Sequence, residues 1–392
     1  MIDLYDKKQG CCGCTACENI CPVIAINMVD DEEGFKYPEV DDSKCISCGL
    51  CKAVCKFKPE AEELTKKVPL VYAVKHKNED VRFKSTSGGV FTALSDSILG
   101  KGGVVYGVAF DENFVAVHKR ATTREQRDEF MGSKYVQSFL GSTFSGVKND
   151  LESGRTVLFT GTPCQCDGLM SYLKKKKVDC GKLYVVDIVC HGVPSPLMWK
   201  EHIESCEKKR KAKIEEYLCR SKINGWHTHT ELIVYDNEKK DCTSALSQKQ
   251  KILFYSHKIL RPACHRCRYT SIYRCSDITM ADFWGIENSM PEFDDNKGVS
   301  LVLVSSDKGE KLFEEIKEQI VFEKSHIEDC LQPQLKEPSK PAAKRTKFWE
   351  DYRKRGYWYI ATRYGGCGLR GKIIRFLAGI KTLKKVKKFI GK

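Results

Sequence analysis

Short apolar runs alternate with helical patterns through the middle of the chain. The runs have the length of buried strands, and they cover residues 71–74, 104–110, 157–160, 183–189 and 299–304. Apolar residues at helical spacing predict helices near residues 90–99, 166–173 and 311–320. This alternation favours an α/β body, in which binding sites gather at the carboxyl ends of the strands.

The pattern changes in the last sixty residues. After Pro333, Pro338 and Pro341, apolar side chains recur at helical spacing between lysines from Ile373 to Ile390. Such a stripe predicts a peripheral amphipathic helix, and we expect it to contact an anionic membrane surface reversibly. A solvated basic helix, or a docking site for an acidic partner, is the alternative.

The charge of the chain is concentrated in the same segment. The formal net charge is +14, and residues 333–392 hold 18 Lys and Arg against 3 Asp and Glu. The rest is nearly neutral, so we expect no nucleic-acid partner. The sequence shows no apolar run of about 18 residues and no apolar signal segment at its start. We therefore expect a cytoplasmic protein whose tail can touch the inner face of the membrane.

The chain contains 21 cysteines. Thiols stay reduced in the cytoplasm, so this number indicates metal ligation or redox chemistry rather than disulfides. Two runs share the spacing C-x2-C-x2-C-x3-C and are offset by 34 residues: Cys11, Cys14, Cys17 and Cys21, then Cys45, Cys48, Cys51 and Cys55.

This internal repeat predicts a ferredoxin-type pair of [4Fe–4S] clusters. Three thiolates of each run converge from one tight loop, and the fourth reaches across to the other cluster. We expect the first cluster to be held by Cys11, Cys14, Cys17 and Cys55, and the second by Cys45, Cys48, Cys51 and Cys21. Paired zinc ribbons are the alternative, although four-thiolate zinc sites do not require this spacing. Cys12 is left over, and we interpret it as a bystander thiol.

Other candidate residues follow predicted strands or open a predicted helix. Residues 85–89 read Ser-Thr-Ser-Gly-Gly at a helix start, where backbone N–H groups can face a phosphate, although capping by Ser87 explains the pattern equally well. Cys164 and Cys190 each follow a strand, and Cys264 and Cys267 form a further C-x2-C pair. Four thiolates suit a third [4Fe–4S] cluster or a zinc site. The alternative is that Cys164 and Cys190 only pack in the core.

These segments, with residues 131–138 and 281–285 and in this order behind the dicluster module, resemble the coenzyme F420 hydrogenase/dehydrogenase beta-subunit family. The likeness covers approximately residues 1–325. It implies an α+β ferredoxin-like dicluster module, an α/β flavin-binding body and a basic helical C-terminal tail. The corresponding parts are a dicluster domain at 1–65, an N-terminal-type flavin-binding region at 66–150, a C-terminal-type region with the third cluster at 151–330, and the tail at 331–392.

The resemblance also implies residue roles. FAD would be bound by Ser87, Gly88, Gly89, Gly132, Ser133, Lys134, Tyr135 and Asp282. The third cluster would be held by Cys164, Cys190, Cys264 and Cys267, with Cys275 as a reserve ligand. Lys134 would stabilise the reduced flavin anion and His191 would relay a proton, so both are catalytic candidates. The alternatives are a solvated lysine and a histidine that only hydrogen-bonds a sulfur or a carbonyl.

The function implied is that of an iron–sulfur flavoprotein oxidoreductase. Electrons from a soluble ferredoxin or another donor would pass through [4Fe–4S] clusters to FAD and reach a small-molecule organic substrate or a deazaflavin-type cofactor. Relatives with the same N-terminal fusion place this activity in surface-polysaccharide biosynthesis. The alternatives are an electron-relay subunit of a larger complex with no substrate of its own, and a cluster-bearing regulatory protein without flavin.

Overall fold

The computed structural model describes residues 4–58 and 67–368. The N-terminal module consists of two short helices and one antiparallel hairpin: α1 Ala16–Ile20, β1 Ile26–Asp30, β2 Lys36–Val40 and α2 Leu50–Val54. Thr15 and Gly49 precede the two helices in the left-handed conformation. In both halves the third cysteine of the run therefore lies within the helix and the fourth follows its end, as the internal repeat predicts.

An eight-stranded sheet forms the body. Its strands are β3 Leu70–His76, β4 Val104–Phe110, β5 Ala116–Ala121, β6 Val157–Gly161, β7 Leu183–Ile188, β11 Ile278–Asp282, β12 Ser300–Val304 and β13 Ile320–Ser325. Their order across the sheet is β13-β3-β12-β11-β7-β6-β4-β5. The four strands β11, β7, β6 and β4 run parallel, and antiparallel strands complete both edges. Regions 66–150 and 151–330 thus contribute strands to one continuous sheet.

Helices cover both faces of this sheet. The helices between its strands are α3 Glu79–Lys84, α4 Val90–Gly100, α5 Arg124–Asp128, α6 Thr143–Glu152, α7 Pro163–Lys176, α10 Ile286–Ser289 and α11 Asp307–Ile316. α4 and α11 pack on one face, whereas α6 and α7 pack on the other together with α1 and α2 of the N-terminal module. The module and the body therefore share a hydrophobic core.

A second layer of structure lies beside the main sheet. It contains two helices and three strands, with these bounds: α8 Pro196–Arg210, β8 Ile214–Ser221, β9 Thr230–Tyr235, β10 Lys240–Asp241 and α9 Ala245–Tyr255. The strands form a separate sheet in the order β10-β9-β8. All five strands expected from the sequence are present. The helix expected over 311–320 is wrong at its end, because α11 stops at Ile316 and Ile320 pairs with His76 as the first residue of β13.

The C-terminal region begins with packed structure rather than a peripheral tail. After α12 Ile327–Cys330, helix α13 Arg345–Arg363 buries Phe348, Trp349 and Ile360 against Met198 of α8 and Leu253 of α9. The expectation of a tail starting at residue 331 is therefore wrong for 331–368, since these aromatic side chains complete a core. The stripe from Ile373 to Ile390 lies outside the described residues. In the described ranges, no helix is long and apolar enough to cross a membrane.

Candidate functional site

A cavity of about 320 Å³ lies at the carboxyl ends of the parallel strands, a volume within the range of ligand pockets, roughly 300–1,000 Å³. Its wall includes nearly all the body residues that the sequence suggested: Ser87, Gly89, Gly132, Ser133, Lys134, Tyr135, Cys164, Cys190, His191, Cys264, Cys267 and Asp282. The parallel strands explain this meeting, because α7 follows β6, the Cys190 loop follows β7, and Asp282 ends β11.

One wall joins the start of α4 to the loop that contains Gly132. Gly89 caps α4 with a φ of 90°, and Gly132 has a φ of 77°, a region that favours glycine. The Ser133 N–H donates to Thr86 Oγ1 at 2.9 Å, which fixes the two loops against each other. Two glycine-bearing turns therefore meet at one edge of the cavity.

Ser87 and Gly88 have structural roles at this edge. Ser87 Oγ donates to the Val299 carbonyl at 2.7 Å, so Ser87 does not cap the helix through its side chain. A Cβ at Gly88 would lie 2.1 Å from the Val74 carbonyl oxygen. The assignment of Gly88 to the cofactor therefore finds no support in its position, since the missing side chain admits a neighbouring strand instead.

Lys134 lies at the cavity wall, but its ammonium group is held by the backbone. Nζ donates to the carbonyls of Glu129 and Met131, both at 2.8 Å. Burial lowers the pKa of Lys134 to about 7. The side chain is therefore not the solvated lysine that was the alternative, and near neutral pH it can hold or release a proton at Nζ.

Asp282 is bound by two side chains of the body. Its carboxylate accepts from Trp226 Nε1 at 2.9 Å and from Arg220 Nη1 at 3.2 Å. Trp226 stacks on Trp284 with ring centroids 5.1 Å apart, and the Arg220 guanidinium lies 5.0 Å from the Trp284 centroid. Asp282 thus anchors an aromatic and cationic wall beside the cavity.

The four cysteines expected to hold a third metal group meet at the opposite side of the cavity. The Cys190 thiol is surrounded by Cys164, Cys264 and Cys267, and burial raises its pKa. The Val193 N–H points to Cys264 Sγ at 3.4 Å. The reserve candidate Cys275 lies in the hydrophobic core beneath α7 instead. The structure therefore separates the four-cysteine set from the reserve.

His191 lies next to this set and belongs to a hydrogen-bonded chain. Its Nδ1 accepts from Gln334 Nε2 at 2.9 Å, and its Nε2 lies 2.9 Å from His257 Nε2. Burial, and then the neighbouring His257, lower the pKa of His191 to about 4. A neutral His191 that accepts at Nδ1 carries its proton on Nε2, so it can donate to His257.

The eight N-terminal cysteines form the two expected sets. Cys17 lies among Cys11, Cys14 and Cys55, and burial raises the pKa of this thiol well above its usual value. Cys21, Cys45, Cys48 and Cys51 surround a small hollow at the other end of the module. Cys48 is exposed, whereas the first set faces the body. The second set is therefore the one nearer to solvent.

Comparisons with known proteins follow the same division of the chain. Residues 154–329 match the model for the C terminus of the coenzyme F420 hydrogenase/dehydrogenase beta subunit, and residues 10–58 match the 4Fe–4S dicluster domain. The chain belongs to the F420 hydrogenase/dehydrogenase beta-subunit family. The recognition made from the sequence is confirmed, including the N-terminal dicluster domain.

Individual relatives cover different parts of this family member. The B subunit of the ion-translocating oxidoreductase complex of Methanosarcina acetivorans is 41% identical over 48 residues, which are 12% of this chain and 16% of that protein. A chain of the F420-reducing [NiFe] hydrogenase complex from Methanosarcina barkeri, solved in a xenon derivatization study, aligns with a TM-score of 0.47 and 20% identity. This alignment covers 68% of the present chain and 84% of that chain. The protein is thus an iron–sulfur electron-transfer protein of oxidoreductase type.

Three residues that the sequence did not single out connect the dicluster domain to the cavity. Cys12 lines the cavity and hydrogen-bonds both Cys14 and Cys164, so it is not a bystander. Gln137 donates to the Cys12 carbonyl at 3.2 Å, and Arg261 donates to Gln137 Oε1 at 2.9 Å. The Cys12 hydrogen bond lowers the pKa of the Cys164 thiol to about 7. Spacing gave no signal for these residues, because their partners are distant in sequence.

The first cysteine set approaches the body closely. A Cβ at Gly168 of α7 would lie 2.9 Å from Cys14 Sγ. Ser171 Oγ of the same helix donates to the Val54 carbonyl at 2.7 Å, and Arg268 donates to the Lys56 carbonyl at 2.7 Å. The glycine and these two donors hold the module with its first cysteine set towards the cavity.

Proposed function

We propose that the protein is an iron–sulfur flavoprotein oxidoreductase, which takes single electrons from a soluble ferredoxin-like donor and delivers pairs of electrons to an organic substrate or a deazaflavin-type cofactor. The observation that carries the proposal is a single cavity with a four-cysteine set on one side and two glycine-bearing turns on the other. The dicluster domain lies directly behind the cysteine side.

The cavity residues fit a third [4Fe–4S] cluster. Cys164, Cys190, Cys264 and Cys267 supply four thiols in one buried place, and a backbone N–H already points at one sulfur. A metal group that deprotonates these thiols relieves the cost of burying them as free anions. The neighbouring Cys12 hydrogen bond to Cys164 would then be a contact to a ligand sulfur.

The other side of the cavity fits FAD. Gly89 and Gly132 leave the backbone open, and the first N–H groups of α4 have no partner within the helix. Lys222 Nζ, which donates to the Ser87 and Arg82 carbonyls, places a cation behind this edge. Bound flavin would supply the exchange between one-electron and two-electron chemistry. Ser133 and Tyr135 complete the wall that would hold it.

Lys134 and His191 would serve as the proton-handling groups of this site. Lys134 can release a proton at Nζ near neutral pH, because burial lowers its pKa to about 7. His191 connects the cavity to His257, whose Nδ1 lies 3.0 Å from the Lys340 carbonyl. A two-electron reduction of an organic group commonly takes up protons, and these residues lie where such protons are needed.

Filling the cavity tests the flavin assignment. Ile188 ends β7, lines the cavity and is 41% exposed. Ile188→Trp should abolish bound FAD while the iron content stays unchanged, because the larger ring occupies the space without touching a cysteine. Anaerobic purification, followed by acid release and quantification of FAD per chain, measures this.

A matched control comes from the opposite edge of the sheet. Val321 on β13 is 44% exposed and lies away from the cavity, so Val321→Trp should keep one FAD per chain. Equal FAD content in the two variants would contradict the proposed site. A wild-type protein without FAD would favour the relay alternative.

A further inference from the structure

Arg261 is a fully buried cation at the contact between the dicluster domain and the body. Its guanidinium donates to the Cys11 carbonyl at 2.8 Å, to the Lys36 carbonyl at 3.0 Å and to Gln137 Oε1 at 2.9 Å. Nη2 also lies 3.6 Å from Cys11 Sγ. The group is therefore aimed at a ligand of the first cysteine set from three residues before Cys264.

The surroundings of this guanidinium contain aromatic rings and thiols. The guanidinium carbon lies 4.2 Å from the Tyr37 ring centroid and 5.4 Å from that of Phe35. Among residues 4–58 and 67–368, none contributes a carboxylate that forms an ion pair with Arg261. A buried guanidinium without an anion is costly. The nearest group that can carry a negative charge is the Cys11 sulfur.

We propose that Arg261 is a positioning residue that provides the countercharge to the first cluster, raises its reduction potential above that of the second cluster, and so retains a transferred electron beside the cavity. A cation and N–H donors at a ligand sulfur stabilise the reduced, more negative state of a cluster. The donor loses one electron and the first cluster gains it, and no bond forms or breaks.

The second cysteine set lacks this environment. Cys48 is exposed to solvent, and Cys21 Sγ accepts from the Ala25 backbone N–H at 3.3 Å. Water and a neutral amide donor stabilise added charge without a fixed buried cation. The difference between the two sets gives the module a direction, from the exposed cluster to the cluster that faces the body.

This inference deepens the proposed function but depends only on the two clusters of the dicluster domain. If the third cluster or FAD were absent, the potentials of these two clusters would still be measurable. Failure of the flavin assignment and failure of the Arg261 proposal are therefore separate outcomes.

The test is a redox titration of the full chain followed by electron paramagnetic resonance. A Cys45→Ser variant, which alters the second cluster, identifies the signal of each cluster. Arg261→Met should reduce the equilibrium preference of the electron for the first cluster about tenfold, which is about 59 mV for one electron. Arg261→Lys keeps the charge and should change the preference by less than about threefold. The matched control Arg268→Met removes an interface arginine that contacts the Lys56 carbonyl and should leave the preference unchanged.

Two results would overturn the proposal. One is an Arg261→Met protein with both clusters loaded and unchanged potentials. The other is an equal effect of the Met and Lys variants, whether on potential or on iron content, because packing rather than charge would then explain it. If Arg261→Met alone loses the first cluster while Arg261→Lys retains it with a small shift, the countercharge role is supported.

Discussion

Cys264→Ser is expected to lower the iron content from about twelve to about eight atoms per chain, since one [4Fe–4S] cluster of three is lost. Cys264 lies with Cys164, Cys190 and Cys267 at the cavity and takes no part in the two N-terminal sets. The dicluster domain should keep its iron because its eight ligands remain. Iron and acid-labile sulfide counted on anaerobically purified protein give the answer.

The control for this change is Cys242→Ser. Cys242 precedes α9, outside the three four-cysteine sets, and its carbonyl accepts from Gln248. This variant should retain the wild-type iron content. Loss of all iron from Cys264→Ser would show that the three sets assemble as one cooperative unit, and an unchanged count would remove the third cluster from the account.

Glu231→Gln is expected to remove a pH-dependent loss of stability. Glu231 is buried on β9, and burial raises its pKa to about 8 from the ordinary value of 4.5. Between these values the folded protein holds a proton that the unfolded chain has released. The free energy of unfolding therefore falls as pH rises through this window, by about 1.4 kcal/mol per pH unit for one proton.

The amide introduced at position 231 would stay neutral, and its oxygen can still accept from Tyr217 Oη, which lies 3.2 Å from the Glu231 carboxylate. Between pH 6 and pH 8 the variant should lose about 2 kcal/mol less than the wild type. Anaerobic urea unfolding at the two pH values measures this difference. Glu216→Gln, at an exposed position of β8, should behave as the wild type. A Glu231→Gln protein with the wild-type pH dependence would contradict a protonated Glu231.

The cysteine sets of the module follow from the sequence because their spacing is local. Three ligands lie within one loop, so the C-x2-C-x2-C-x3-C repeat determines which sulfurs meet. The parallel strands also followed from apolar runs, and the carboxyl-end rule brought Cys164 and Cys190 to one cavity. These inferences needed only short-range pattern and a general rule of sheet topology.

Other features depend on contacts between distant segments. Gly88 shows the difficulty, since a missing side chain serves either a ligand or a neighbouring strand, and only the 2.1 Å approach of Val74 decides for the strand. Helix α13 was mistaken for part of a peripheral tail because prolines precede it, yet Phe348 and Trp349 find their partners on α8 and α9. Arg261 carries no motif, and its role appears only where it meets Cys11.

The most direct measurement is the count of iron, sulfide, zinc and FAD per chain in protein purified without oxygen. The account predicts about twelve irons with matching sulfide, one FAD and no zinc, because three four-cysteine sets and one flavin cavity are present in the fold. Eight irons without flavin would leave the dicluster domain intact and contradict both the third cluster and the oxidoreductase site proposed at the cavity.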